Sequence, residues 1–429
     1  MHRFVNTHIR VIQFIAVTAL LLISCACDPV PTGPKKVFIV YSIGYNNLSS
    51  YLKEDINELS ESYASMTGNN SVIIFSHSTK SYKAYDVPNS PVVIELKKNK
   101  AGNVVRDTIM TMEPNTISAS KETLNSFLSF VKDRYQDAEY NILFSSHGTG
   151  WAPEDYCNNP DEYDAGQNGS TWRSRRSTER PLPYWGVVPE DGGPVVKSFG
   201  VQNITSNTYH EMDITDMADA FPMKMKTIIF DACFMGCVEV AYEFRDVTEN
   251  MIASQTEILA DGMDYTTMLS YILKSDDLKG FCENFFDFYN KQSGAYQSAT
   301  ISLVDCTRLE PLAQACKDIF ESQRLQIAGL EGSSDIQRYF RREYSHIHKW
   351  FYDLEDIALH AGISDEQKEA LESAIEGCVR YKAATERFIS DITITNHSGL
   401  SMYLPYKDRT YLNNFYKTLD WNKATGLVQ

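Results

Sequence analysis

Two short stretches carry residue types able to do covalent chemistry. The first is Thr227 to Glu243, T-I-I-F-D-A-C-F-M-G-C-V-E-V-A-Y-E. Ile228, Ile229 and Phe230 form an apolar run that suits a strand buried on both faces of a parallel sheet. Beyond Asp231 the period changes: Cys237, Val240, Ala241 and Phe244 fall at i, i+3, i+4 and i+7, one face of a helix. The pattern predicts Cys233 at the junction of a buried strand and a helix. Open α/β sheets bind ligands along that edge, and the N–H groups of a helix start favour a thiolate over a thiol. A free cysteine is more often a small buried core residue, so the chemical reading needs a base. The second stretch, Asn141 to Trp151 (N-I-L-F-S-S-H-G-T-G-W), supplies one. Here an apolar strand, Ile142 to Phe144, leads through polar residues to His147 and a glycine. Parallel neighbours end on one edge, so His147 and Cys233 are expected to face each other across a groove. A cysteine nucleophile requires such an imidazole to take or hold its proton. The backbone N–H groups of Gly148, where no side chain hinders approach, and of Cys233 are candidate oxyanion donors.

An apolar strand with Ser-His-Gly, then an apolar strand with Asp-Ala-Cys, resembles the caspase-like cysteine peptidases. His-Gly-Thr-Gly-Trp (147–151) and the block 231–243 are similar to the clostripain family in particular. The resemblance runs from about Lys36 to Lys407. It implies a caspase-like α/β fold, a mostly parallel central sheet with helices on both faces, and a C-terminal helical region with closing strands. It also implies an endopeptidase in which the Cys233 thiolate attacks a peptide carbonyl after a basic residue. His147 would protonate the leaving amine and then activate water. Asp231 matches the family position that recognises Arg or Lys. An opposite charge at about 4 Å and an effective dielectric near 20 contributes about 4 kcal/mol before desolvation. Asp231 is equally well suited to capping the following helix. Glu257, Asp261 and Asp264, in the loop after the next strand (Met251 to Gln255), are weaker candidates to supplement the pocket or to bind calcium, as the family's namesake does. They lack an ordered ligand spacing, so neither a metal nor another cofactor is expected.

The elements that must position these residues alternate. Val37 to Tyr41 is a buried strand, Ser49 to Ser62 a helix with Leu52, Ile56 and Leu59 inward, and Val72 to Phe75 a strand. Val92 to Leu96 and Val104 to Met112 flank a hairpin turn. The helix Lys121 to Arg134 has Ser120 as N-cap, and Ile214 to Phe221 is a short helix before the cysteine strand. Downstream, Ala299 to Asp305 is a strand and Leu309 to Phe320 a helix. Asp335 to Ala361 and Asp365 to Ser390 also read as helices, and Ile392 to Pro405 as a closing strand pair. His346 and His348 diverge at i, i+2 and read as surface residues. His397 lacks the strand-His-Gly context of His147. The organisation is a catalytic domain over 37–275, interrupted by an insert loop at 152–200, and a C-terminal α/β region over 276–429 packed on it.

Met1 to Cys25 has the layout of a secretory signal: basic residues, an apolar stretch from Val11 to Ile23, then Leu-Ile-Ser-Cys. This resembles a bacterial lipobox, with 1–24 removed, Cys25 lipidated and 25–36 a Pro-rich linker. The expected location is therefore the cell envelope, anchored through an N-terminal lipid. Of nine cysteines, a lipidated Cys25 and a free Cys233 leave seven, an odd number that argues against a complete disulfide framework. The net charge of −16 excludes a nucleic-acid partner and suits basic protein or peptide substrates. Within the insert, Trp172 to Arg180 is a basic patch. The family is often activated by self-cleavage after a basic residue between His and Cys, which makes Arg173, Arg175, Arg176 and Arg180 candidate sites. The expected product is a monomer or a cleaved two-chain form. A surface lipoprotein keeping the fold as a binding module is the rival, and the intact His147, Asp231 and Cys233 argue against it.

Overall fold

The apolar runs become strands of one sheet: β1 (Lys36–Gly44), β2 (Ser71–Ser81), β3 (Val92–Lys98), β4 (Val104–Thr111), β5 (Glu139–Ser145), β6 (Met225–Asp231), β7 (Thr248–Ala253), β8 (Thr300–Asp305) and β9 (Val379–Ala384). They lie in the order β9-β8-β7-β6-β5-β1-β2-β3-β4. The computed structural model describes residues 35–81, 84–158, 160–165, 196–197, 202–205, 208–341, 349–389 and 391–429. The five central strands, β7 to β2, are parallel. The outer pairs are antiparallel. Among the described residues no helix is long and apolar enough to cross a membrane. The signal segment, Cys25 and most of the linker lie outside the described residues.

Direction of travel explains the layers. The crossover from β1 to β2 through α1 (Ser49–Ala64) moves one way along the sheet. Those from β5 to β6 through α2 (Ile214–Asp219), and from β6 to β7 through α3 (Val238–Glu243), move the other way. Right-handed crossovers in opposite directions put their helices on opposite faces. The central strands are therefore covered on both sides, and Ile142, Leu143, Phe144, Ile228, Ile229 and Phe230 are fully buried. The helix Lys121–Arg134 forms where expected, with Ser120 accepting the Thr123 N–H as N-cap. The order reverses between β1 and β5, the crevice where open sheets take ligands.

The C-terminal half departs from its sequence pattern in three places. A continuous helix over 335–361 does not form: among the described residues of this range Tyr352–Asp353 is a strand and Leu354–His360 is the helical part. Asp353 explains this. Its carboxylate caps that helix through the Asp356 N–H and also accepts from Tyr339 and Ser398, a buried network that a continuous helix would break. His346 and His348 lie outside the described residues. The second helix stops at Cys378, because Val379–Ala384 adds β9 to the edge of the sheet. Third, Ile392–Thr393 and Ser401–Met402 do not pair with each other. The first pairs with Arg387–Phe388, the second with Tyr352–Asp353. Residues from 276 onward supply β8 and β9, so one sheet spans both sides of that position. Seven cysteines, Cys157, Cys233, Cys237, Cys282, Cys306, Cys316 and Cys378, are buried free thiols.

Candidate active site

β5 and β6 are adjacent and in step, with Asp231 opposite Ser145 at their last paired residues. His147 and Cys233 each follow two residues later, on the same edge, and both are fully buried. Cys233 is not at a helix start. The helix begins at Val238 with Cys237 as N-cap, and the residues between form a loop held to the segment after β7. Phe234 donates its N–H to Thr256 O (3.0 Å) and Gly236 to Ser254 O (2.7 Å). The approach is close enough that a Cβ on Gly236 would sit 2.5 Å from Gln255 Nε2 and 2.6 Å from the Ser254 carbonyl carbon. A helix field fades within its first turn, so it does not activate this thiol. The Ile258 N–H instead donates to Cys233 Sγ at 3.2 Å. Burial pushes the Cys233 thiol well above its ordinary pKa, Glu257 adds to the rise, and the Ile258 N–H and Arg341 only partly oppose it. The resting group is a thiol.

His147 has a partner the sequence did not announce. Its Nε2 lies 2.6 Å from Asn47 Oδ1. The loop carrying it is tied to β1 through Ser146 Oγ, which donates to Ile43 O (2.8 Å). Gly148 is buried in this loop. Gly150 follows at φ +58°, and a Cβ there would lie 2.5 Å from Phe351 and 2.9 Å from Phe234 O. The Phe351 ring stacks on Phe234 at 4.7 Å and 10°, so one aromatic plug packs against both the His and Cys loops. Trp151 is fully buried against Tyr403 and Tyr416. The His-Gly-Thr-Gly-Trp string is thus a packing signature as well as a chemical one.

Asp231 does not cap the helix. It is fully buried, and its Oδ2 accepts from Tyr265 OH (2.7 Å) and Ser145 Oγ (3.3 Å). Glu257 is committed elsewhere: Arg341 grips it with Nε at 2.7 Å and Nη2 at 3.1 Å. Asp264 caps the helix Tyr265–Leu269 and accepts from Thr267 and Asn284, while Asp261 is exposed. Among the described residues no group of three or more His, Cys, Asp or Glu is arranged to hold a metal. His397 is half-buried and hydrogen-bonded to Gln255 (2.9 Å), and desolvation pushes its pKa down to about 3, a structural role. Sequence reasoning missed Asn47, Tyr265, Arg341 and Phe351. Their signal is spatial, since they come from three separate connections, Arg341 and Phe351 sharing one.

The insert returns to this edge. Val196–Lys197 forms an antiparallel pair with Ile258–Leu259, with Lys197 opposite Ile258, the residue whose N–H holds the Cys233 sulfur. Arg173, Arg175, Arg176 and Arg180 lie outside the described residues.

Comparison with known proteins gives the family and the fold. Clostripain from Hathewaya histolytica is 22% identical over 446 residues, covering 90% of this chain and 77% of that one. The crystal structure of an inactive zymogen C11 protease from Parabacteroides distasonis superposes with a TM-score of 0.72 at 26% identity, covering 92% of this chain and 99% of the other. A secreted C11 cysteine protease from Bacteroides thetaiotaomicron, in complex with an irreversible peptide inhibitor, gives 0.69 at 22% identity over 91% and 98%. The family profile described as the clostripain family matches residues 40–171 and 191–426, leaving out the stretch that holds the arginine cluster. With the profile spanning most of the sequence and the zymogen's fold matched end to end, this chain belongs to the clostripain family of cysteine proteases.

Proposed function

We propose that this protein is an endopeptidase that cleaves after Lys or Arg through Cys233 and His147, made in a latent form. The observation that carries the specificity is Asp231, a buried carboxylate two residues before the thiol and oriented by Tyr265 and Ser145. A basic side chain reaching it exchanges hydration for a charge-assisted bond. In the reaction, Cys233 passes its proton to His147 as Sγ adds to the scissile carbonyl carbon, and the oxyanion is received by the N–H groups of Gly148 and Cys233. The C–N bond breaks as His147 protonates the amine. Water, deprotonated by His147, then releases the acyl group and the thiol is restored.

Latency is supported by the buried, protonated thiol and by the strand Val196–Lys197 lying along Ile258–Leu259, as an extended peptide would pair with a sheet edge. Lys197 is accordingly the favoured self-processing residue, ahead of Arg173, Arg175, Arg176 and Arg180. A monomeric precursor gives a two-chain enzyme. Anchoring in the bacterial envelope through a lipidated Cys25 is part of the same proposal, supported by the lipobox and by a relative described as secreted.

The test is hydrolysis of fluorogenic peptides ending in Lys, Arg, Asn or Asp, for wild type, Cys233→Ala and Lys197→Ala, each followed on a gel. Lys and Arg turnover absent from Cys233→Ala, with processing lost in Lys197→Ala, supports the full reading. Persistent cutting in Lys197→Ala moves the site to the arginine cluster. Asn or Asp turnover sinks the role of Asp231, and no turnover of any peptide by nicked protein favours a binding module.

A further inference from the structure

We propose that Asn47 is a positioning residue for the reaction, fixing the ring orientation and the tautomer of His147. This rests on the His147–Cys233 pair proposed above. Asn47 follows β1, and His147 follows β5, its parallel neighbour, with Ser42 opposite Ser145. The two residues therefore meet at the point where the strand order reverses.

The turn that presents Asn47 is built to hold it. Asn46 donates its side-chain N–H to Ile43 O (3.2 Å) and accepts the Leu48 N–H (2.9 Å), and its carbonyl accepts the Ser49 N–H (3.2 Å). Ser146, beside His147, donates to the same Ile43 carbonyl. One carbonyl at the end of β1 thus anchors both the Asn47 turn and the His147 loop. Asn47 itself is half-buried, and its Oδ1 meets the ring.

The chemistry follows from which atom faces which. An amide oxygen only accepts, so at 2.6 Å His147 Nε2 carries the hydrogen. In the neutral ring the lone pair is then on Nδ1, the basic nitrogen of that tautomer and the one that would take the thiol proton. The hydrogen bond to Oδ1 persists when the ring becomes imidazolium, so the orientation holds through the proton transfer. A neutral amide does this without trapping the proton, as a carboxylate would.

The experiment uses the full chain, processed in trans by tagged wild-type enzyme that is then removed. The variants are Asn47→Ala, Asn47→Asp and His147→Ala, assayed on a lysyl fluorogenic peptide from pH 5 to 9. Asn47→Ala is expected to lower kcat by about tenfold or more with KM within about twofold, the scale on which orienting partners act. Asn47→Asp keeps an acceptor and is expected to recover most of kcat. Its carboxylate should move the His147-controlled limb of the pH profile upward by about one unit or more. If Asn47→Ala keeps the wild-type kcat and profile while His147→Ala is dead, the inference is overturned and the dyad stands. If His147→Ala retains turnover, the dyad itself fails. Should Asn47→Ala not fold, Asn47→Asp decides alone, and an unshifted profile overturns the proposal.

Discussion

Replacing Arg341 by Met tests whether the pair beneath the thiol is an electrostatic unit. Arg341 contacts both Glu257 oxygens, at 2.7 and 3.1 Å, and the two side chains are only 7% and 2% exposed. Removing the guanidinium strands a carboxylate that water cannot reach, and breaking a buried pair from one side costs about 3–5 kcal/mol. Removing both charges at once, in Arg341→Met with Glu257→Leu, leaves apolar groups of similar volume and should recover most of that loss. The assay is urea unfolding followed by tryptophan fluorescence on a Cys233→Ala background, which prevents self-digestion. A single variant within about 1 kcal/mol of the parent, or a double variant no better than the single, refutes the reasoning.

Gly150→Ala forces a methyl against the Phe234 carbonyl and the Phe351 ring in a positive-φ conformation. It should destabilise by about 1–3 kcal/mol and lower kcat, read by unfolding midpoint and turnover. Tyr265→Phe removes a hydroxyl donor from buried Asp231; a bond to a charged group contributes about 1.5–3 kcal/mol, and KM for lysyl peptides should rise more than kcat falls. Burial pushes Glu239 up to about 7 and Glu211 up to about 8, from an ordinary 4.5. The fold therefore binds protons the unfolded chain has released. This stability is complete below about pH 4.5 and is lost as pH rises through 7 and 8. Denaturation midpoints should fall over that window, with a smaller fall in Glu239→Gln. Finally, iodoacetamide should label Cys233 slowly in the uncut chain and much faster after processing, measured by mass spectrometry at pH 7.

The site's frame was legible because strand ends are a local signal. Ile142–Phe144 and Ile228–Phe230 are short apolar runs succeeded at once by polar residues, and two parallel strands bring the residues just beyond their ends together. Less legible was anything decided by packing at a distance. Val238 to Phe244 has helical spacing, yet nothing local says that Phe234 and Gly236 will bond to 254–256 and delay the helix to Val238. Apolar spacing across 335–361 mimics a helix until buried Asp353 gathers Tyr339 and Ser398 around it. Asn47 sits 100 residues before His147, and only the β1–β5 pairing makes them neighbours. Val379–Ala384 looked like a helix tail because the edge it joins, β8, is more than seventy residues upstream.

The strand order has a consequence for a chain cut anywhere between Ala152 and Gly200. The amino-terminal piece owns β5-β1-β2-β3-β4 and the carboxy-terminal piece owns β9-β8-β7-β6, two unbroken halves of one sheet. A single seam, β5 against β6, joins the halves within the sheet, and His147 and Cys233 project from opposite sides of it. Neither half alone carries both members of the proposed His147–Cys233 pair. After the cut, catalysis becomes a property of an association, and regaining it from denaturant depends on the concentration of both pieces. Refolding of the uncut chain is independent of concentration, whereas the cut one must find its partner again.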